Sequence, residues 1–224
     1  MKKLGFFACL TMILMLFSCA AMPEIVETGL GDTETSSGVG AGDGQQEVFA
    51  SAVPVRPSVP ERIMGRGLIS PEHMSAFLIG TNPEADMAFV EKLVFLYAEE
   101  ASIEGVNHDA AFAQMCLETG FLGFGGLVTP DQFNFCGLGA IGPGQPGHHF
   151  PNPRTGVRAH IQHLKAYATD EPPKRDLVDP RYKYVRLGSA PVIQGLAGTW
   201  AADLLYAEKI NNILERLYNF SFND

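Results

Sequence analysis

One carboxylate stands out by its position. In "AFAQMCLETGFLGFGG", residues 111–126, Glu118 closes an amphipathic stretch and is followed at once by glycines and phenylalanines. A carboxyl placed at a helix end among apolar groups can be held protonated near neutral pH and act as a proton donor. The ordinary alternative is a solvated charge, which is what most helix-end glutamates are. Four histidines in close sequence, His148, His149, His160 and His163, raise the question of a metal. Adjacent His side chains diverge, however, and an i, i+3 pair without further ligands does not complete a zinc site, so no metal and no cofactor are expected. His160 and His163 are expected to lie on a helix face. The glycines at 125 and 126 lack the Lys-Ser/Thr that a phosphate loop requires and are read as turns.

The elements that must position Glu118 follow from caps and periodicity. Ser70-Pro71-Glu72 is a helix start, with Ser at the N-cap and Pro at N1. A second helix is expected near 83–101. A third starts at Asn107, puts Ala111, Phe112, Met115 and Cys116 at core spacing, and ends by presenting Glu118. From Gly120 to Pro153 the density of glycine and proline excludes long helices and leaves loops and a short hairpin. One arm of that hairpin is expected in "FNFCGLGAIG" and the other around His149 and Phe150. "GVRAHIQHLKAYA" resumes the helical period, and "QGLAGTWAADLLYAEKINNILERLYNF" reads as one or two closing helices, with the only tryptophan, Trp200, in their core. The class is mainly α with a small β-hairpin lobe, and the cleft between lobe and helices is the natural ligand site.

The chain has 224 residues and a formal net charge of −9, which argues against a surface built for phosphate backbones, so nucleic acid is not an expected partner. Lys2 and Lys3 precede an apolar run from Leu4 to Phe17 that is short for a bilayer span and reads as a signal sequence over residues 1–19. It ends in Leu16-Phe17-Ser18-Cys19, similar to a bacterial lipobox, with Phe17 a loose fit. Acylation of Cys19 would anchor the protein to a membrane in the cell envelope; secretion as a soluble protein is the alternative. Residues 20–65, rich in Gly, Ser, Thr, Glu and Pro, read as a flexible linker, and 66–224 as one domain, expected to be monomeric. Cys116 and Cys136, in an oxidising compartment, either pair as a disulfide or stay as buried thiols.

"EGVNHDAAFAQMCLETGFL", "NFCGLGAIG", "GVRAHIQHLKAYA" and "TWAADLLYAEKI", in that order, resemble the glucosaminidase domain of glycoside hydrolase family 73, of the lysozyme-like superfamily. The resemblance implies an (α+β) lysozyme-like fold, a peptidoglycan glycan as substrate, and an endo-β-N-acetylglucosaminidase activity without cofactor. It implies that Glu118, followed by Thr119, is the catalytic glutamate. It also matches Asn134 and Gly137 to an Asn-x-x-Gly element beside the cleft, and Tyr206 to a tyrosine facing the acid.

The residues agree with those roles. Breaking a glycosidic bond needs a carboxylic acid of raised pKa, and Phe121, Phe124 and Phe135 are available to bury it. Tyr206, Tyr182 and His149 are placed to meet a sugar, and Asn134 can bind an amide. A second carboxylate commonly completes such sites, yet Asp131 is the only acid between Thr119 and Thr169. Either Asp131 (or, after it, Asp170 or Glu171) activates water, or the substrate's acetamido group is the nucleophile. A lytic transglycosylase of the same fold and a non-catalytic wall-binding lipoprotein are the competing readings.

Overall fold

The computed structural model describes residues 56–142 and 144–222; the expected signal segment, Cys19 and most of the expected linker lie outside the described residues. Five helices carry the domain: α1 Pro71–Thr81, α2 Met87–Glu104, α3 His108–Thr119, α4 Pro153–Ala168 and α5 Tyr206–Phe222. Antiparallel β1 Ala140–Gly142 and β2 Gln145–Pro146 form a small hairpin between α3 and α4. The architecture is thus mainly helical with a small β lobe. Among the described residues, no helix is long and apolar enough to cross a membrane.

The caps form where the residue types require them. Ser70 accepts the amide of His73 at the start of α1, and Asp86 accepts that of Phe89 at the start of α2. Asn107 accepts two amides, those of Asp109 and Ala110, and fixes where α3 begins. Gly120, at φ 57°, ends α3 in the left-handed region that glycine enters without steric cost. α3 is the central element: from Asp109 to Cys116 every residue is buried, and the helix packs against α2, α4 and α5. A helix buried all round carries apolar and small residues on every face, which is why Ala110, Ala111 and Ala113 flank Phe112. Met74, Leu93, Tyr97, Val157, Ile161, Leu214 and Leu217 close the core around it.

Charge is used between α2 and α4. Glu100, fully buried, accepts from Arg154 at 2.9 Å and from both the Nε and an Nη of Arg158 at 2.9 and 3.1 Å. Glu104 meets Lys165 at 2.9 Å with both side chains wholly enclosed, and also accepts the backbone amides of Lys174 and Arg175. A buried carboxylate so paired and bonded is tolerated; an unpaired one would not be.

Three expectations are corrected. The packed chain begins before residue 66: Arg56 pairs with Glu215 at 2.8 Å, and Ile63 is fully buried. The hairpin is shorter than its expected arms, and His149–Phe150 forms no strand, because Gly137, Gly139 and Gly147 take positive φ and bend the chain out of extension. A single bond, the amide of His148 to the carbonyl of Leu138 at 2.8 Å, continues the pairing past the strands. Finally, of the one or two closing helices expected one forms, α5, and the stretch before Tyr206 is not the helix expected around Trp200 but a 3-10 turn at Ile193–Leu196 and a loop containing Trp200. Gly198 at φ 79° and the Asp203 carboxylate, which accepts the amide of Leu205, break the apolar period there.

Candidate active site

Glu118 stands in the last turn of α3, at the floor of a cleft of about 360 Å³. Thr119, Phe124, Asn134, Gly137, Trp200 and Ala201 are among the residues that line it. The chain that leaves α3 turns away in an unusual way: Gly120, Phe121 and Leu122 are consecutively left-handed, with Phe124 left-handed as well. Non-glycine residues enter this region at a cost of roughly 1–2 kcal/mol each, so something must hold them. The amide of Phe121 reaches the carbonyl of Cys116 at 2.8 Å, that of Phe124 reaches the carbonyl of Thr119 at 2.7 Å, and the Phe121 carbonyl accepts from Asn82 at 2.9 Å. The tight turn keeps backbone from covering the Glu118 carboxyl, which stays open on its cleft side.

Two donors converge on a single carboxylate oxygen. The Tyr206 hydroxyl, from the first residue of α5, donates a short hydrogen bond to Glu118 Oε1, and the Trp200 indole Nε1 donates to the same atom at 3.0 Å. Oε2 is left toward Gly137, where an added Cβ would come within 3.7 Å of it. Although Glu118 is solvent-exposed on its cleft side, the protein packed around its carboxyl partly desolvates it and pushes its pKa up, against the lowering effect of the Tyr206 and Trp200 bonds. With Oε1 occupied by two donors, a proton on this carboxyl belongs on Oε2, facing the cleft. Burial, and the Glu118 charge beside it, push the Tyr206 hydroxyl well up, so it remains a donor at any working pH.

The structure brings some of the expected residues to this site and not others. Glu118, Thr119, Phe124, Asn134 and Gly137 line the cleft, and Tyr206 touches the acid from behind. Phe135 is fully buried against Phe89 and Tyr97, and Phe121 packs on Phe77; both are core rings and do not face the cleft. His149 is exposed and Tyr182 sits in a separate 3-10 turn, neither on the cleft lining. Asp131 is exposed on the 3-10 turn Pro130–Gln132, where the Thr129 hydroxyl holds its carboxyl below the usual range, and it too is off the lining.

The polar atoms of Asn134 and Thr119 are spent internally. Asn134 donates to the carbonyls of Leu138 and His148 at 3.0 and 3.1 Å and accepts the amide of Leu138 at 2.9 Å. An amide so satisfied braces the glycine-rich loop that carries Gly137; it does not offer itself to a sugar. Thr119 donates to the Met115 carbonyl and accepts the Leu122 amide, holding the left-handed turn. Cys116 and Cys136 are both free thiols: Cys116 faces the main core, while Cys136 packs with Leu138, Phe150 and Ala159 beside the lobe, so the disulfide alternative falls.

Four residues at or behind the site escaped sequence reading: Trp200, His163, His160 and Gln114. Trp200 is half-buried on the cleft lining, not in a helical core, and its indole is gripped by the rings of His163, Tyr167 and His160 at centroid distances of 5.0, 5.4 and 5.9 Å. His163 is itself fixed by Asp179 at 2.7 Å. His160 and Gln114 are buried behind Tyr206, so both histidines belong to the interior and not to a solvated helix face. Among the described residues, no group of three or more His, Cys, Asp or Glu is arranged to hold a metal ion. The sequence signal available for Trp200 was the Gly198 and Asp203 pair that interrupts the helix.

Comparison with known proteins points the same way as this geometry. Residues 95–219 match the glucosaminidase family, described as mannosyl-glycoprotein endo-beta-N-acetylglucosaminidase. The chain is also 43% identical over 159 residues to an uncharacterized protein of Borreliella burgdorferi, covering 71% of this chain and 78% of that one. No solved structure gives a significant match.

Proposed function

The chain belongs to the glucosaminidase family, a group of peptidoglycan-acting glycosidases, and from that premise we propose that it hydrolyses the β-1,4 bond following N-acetylglucosamine, with Glu118 as general acid. The observation that carries this reading is the placing of both hydrogen-bond donors on Glu118 Oε1, which leaves Oε2 at the cleft face as the oxygen to carry the acid's proton. In the first step that proton passes to the glycosidic oxygen as the C1–O bond breaks. Among the described residues lining the cleft, Glu118 is the only carboxylate, which favours the substrate's own acetamido oxygen as the group that closes on C1. Water then adds its oxygen to C1 and opens that ring while Glu118, now ionised, takes a proton from that water, so the product retains the anomeric configuration and the acid is restored. Tyr206 and Trp200 steady the carboxylate formed between the two steps.

Digestion of purified peptidoglycan, with mass spectrometry of the fragments, tests this. Reducing N-acetylglucosamine ends support it. Anhydro sugar ends, lighter by one water, would establish a lytic transglycosylase, and unchanged glycan would leave a binding protein. Attachment to the envelope membrane through an acylated Cys19 is part of the same proposal and rests on the lipobox-like Leu16–Cys19 alone. Metabolic labelling with palmitate checks it: label lost in Cys19→Ala agrees, and no label in the parent chain refutes it.

A further inference from the structure

Behind the acid, a line of hydrogen bonds runs through four helices. Tyr206 Oη accepts from Gln114 Nε2 at 2.9 Å, Gln114 Oε1 meets His160 Nε2 at 2.9 Å, and His160 Nδ1 meets the Tyr97 hydroxyl at 2.8 Å. Gln114 lies on α3, His160 on α4, Tyr97 on α2 and Tyr206 on α5, and all four are buried. No charge resides in the line, because burial holds the His160 ring neutral, with a pKa of about 3. We propose that Tyr97, His160 and Gln114 are positioning residues that fix the direction of the Tyr206 hydroxyl, committing its hydrogen to Glu118.

The direction follows from counting hydrogens. Such a line can run two ways. In the forward sense Tyr97 donates to His160 Nδ1, His160 Nε2–H donates to Gln114, and the Gln114 amide nitrogen donates to Tyr206, whose one hydrogen then goes to Glu118. In the reverse sense the Gln114 amide is flipped, Tyr206 donates to it, and Glu118 loses that donor. The reverse sense also leaves the Tyr97 hydrogen without an acceptor among the described residues, where His160 Nδ1 is its one hydrogen-bond partner and the hydroxyl is fully enclosed. A buried unsatisfied donor is the costlier defect, so Tyr97, at the far end, selects the forward line. Hydrogen bonds in series polarise one another, which makes Tyr206 a stronger donor than an isolated tyrosine.

The groups near Glu118 that titrate or carry charge are Tyr97 on α2, Cys136 in the lobe, His160 and His163 on α4, Asp179 after it, and Tyr206 on α5. The His163–Asp179 pair lies outside the line and reaches Glu118 through Trp200 instead.

This inference rests on Glu118 being the acid, but its test does not require turnover. Nitrogen NMR of the full chain reads the His160 tautomer directly: hydrogen on Nε2 is expected from pH 5 to 8, and hydrogen on Nδ1 overturns the proposal. Carbon NMR titration of the Glu118 carboxyl reads its ionisation without substrate. Gln114→Met removes the donor to Tyr206 and should raise that midpoint by a few tenths of a pH unit. Gln114→Glu, which offers Tyr206 a competing acceptor, should raise it further. A midpoint unmoved in a folded Gln114→Met protein overturns the proposal; a merely structural role for Gln114 lowers the melting temperature and leaves the titration in place. If Gln114→Met does not fold, the parent tautomer decides alone. If the parent protein digests no peptidoglycan, the proposed function fails while the titration still decides the line.

Discussion

Replacing Tyr206 by Phe removes one hydroxyl and tests how the acid is tuned. In the parent protein Glu118 Oε1 accepts from Tyr206 and from Trp200. Both bonds favour the ionised carboxyl, so losing one raises the pKa of the acid. A hydrogen bond to a charged group contributes roughly 1.5–3 kcal/mol when enclosed. Here the carboxyl is open to the cleft, and water there can replace part of what is lost, so about 1 kcal/mol is the reasonable net figure. That corresponds to roughly 0.7 of a pH unit. A general acid must be protonated to work, so activity declines as pH rises through its pKa. The alkaline limb of kcat/KM against pH should therefore move up by about 0.5–1 unit in Tyr206→Phe, while kcat at the optimum falls because the carboxylate left after proton transfer has lost a partner. The assay is release of reducing ends from solubilised peptidoglycan between pH 4 and 9. An alkaline limb that stays put or moves down would refute the reasoning, since it would mean that Tyr206 does not stabilise the charged form.

Other outcomes follow from the same structure. Burial raises the folded pKa of Glu118 above its unfolded value, so its ionisation opposes folding above the folded pKa and has no such effect below the unfolded one. Glu118→Gln should accordingly raise the melting temperature at pH 7, with the difference fading on acidification below about pH 4; a lower melting temperature at neutral pH would contradict this. Gly156 lies in the first turn of α4, where an added Cβ would sit 1.8 Å from the carbonyl oxygen of Phe133. Gly156→Ala must push the lobe from the helix and should destabilise the fold by at least about 1–3 kcal/mol in denaturant titration. Lys165→Met leaves Glu104 buried without its cation, and an expected loss of about 3–5 kcal/mol would show in the same assay.

Much of the scaffold was legible because short-range chemistry decides it. Ser70 with Pro71, Asn107 and Gly120 each act within four residues, and each caps or ends its helix as its type requires. Glu118 could be located for the same reason, being fixed by the end of α3. Its environment was not legible. The Tyr206 hydroxyl comes from 88 residues away, the Trp200 indole from 82, and the Gln114–His160 contact spans 46, so only the tertiary packing brings them together. Trp200 was misplaced because the apolar period runs through Leu196, Trp200, Leu204 and Leu205 as if one helix continued, while the loop leaves Leu204 and Leu205 exposed. Asn134 illustrates a different failure: its position beside the cleft was readable, but whether its amide is free depended on the backbone of a loop whose path glycines set.

The central claim is that one proton, held on Glu118 Oε2, breaks a glycan bond. The most direct measurement compares the parent chain and Glu118→Gln on the same peptidoglycan, scoring new reducing N-acetylglucosamine ends while circular dichroism verifies that both are folded. The account predicts abundant ends from the parent and a loss of at least about a hundredfold in the variant. Equal release from a folded Glu118→Gln protein would contradict it.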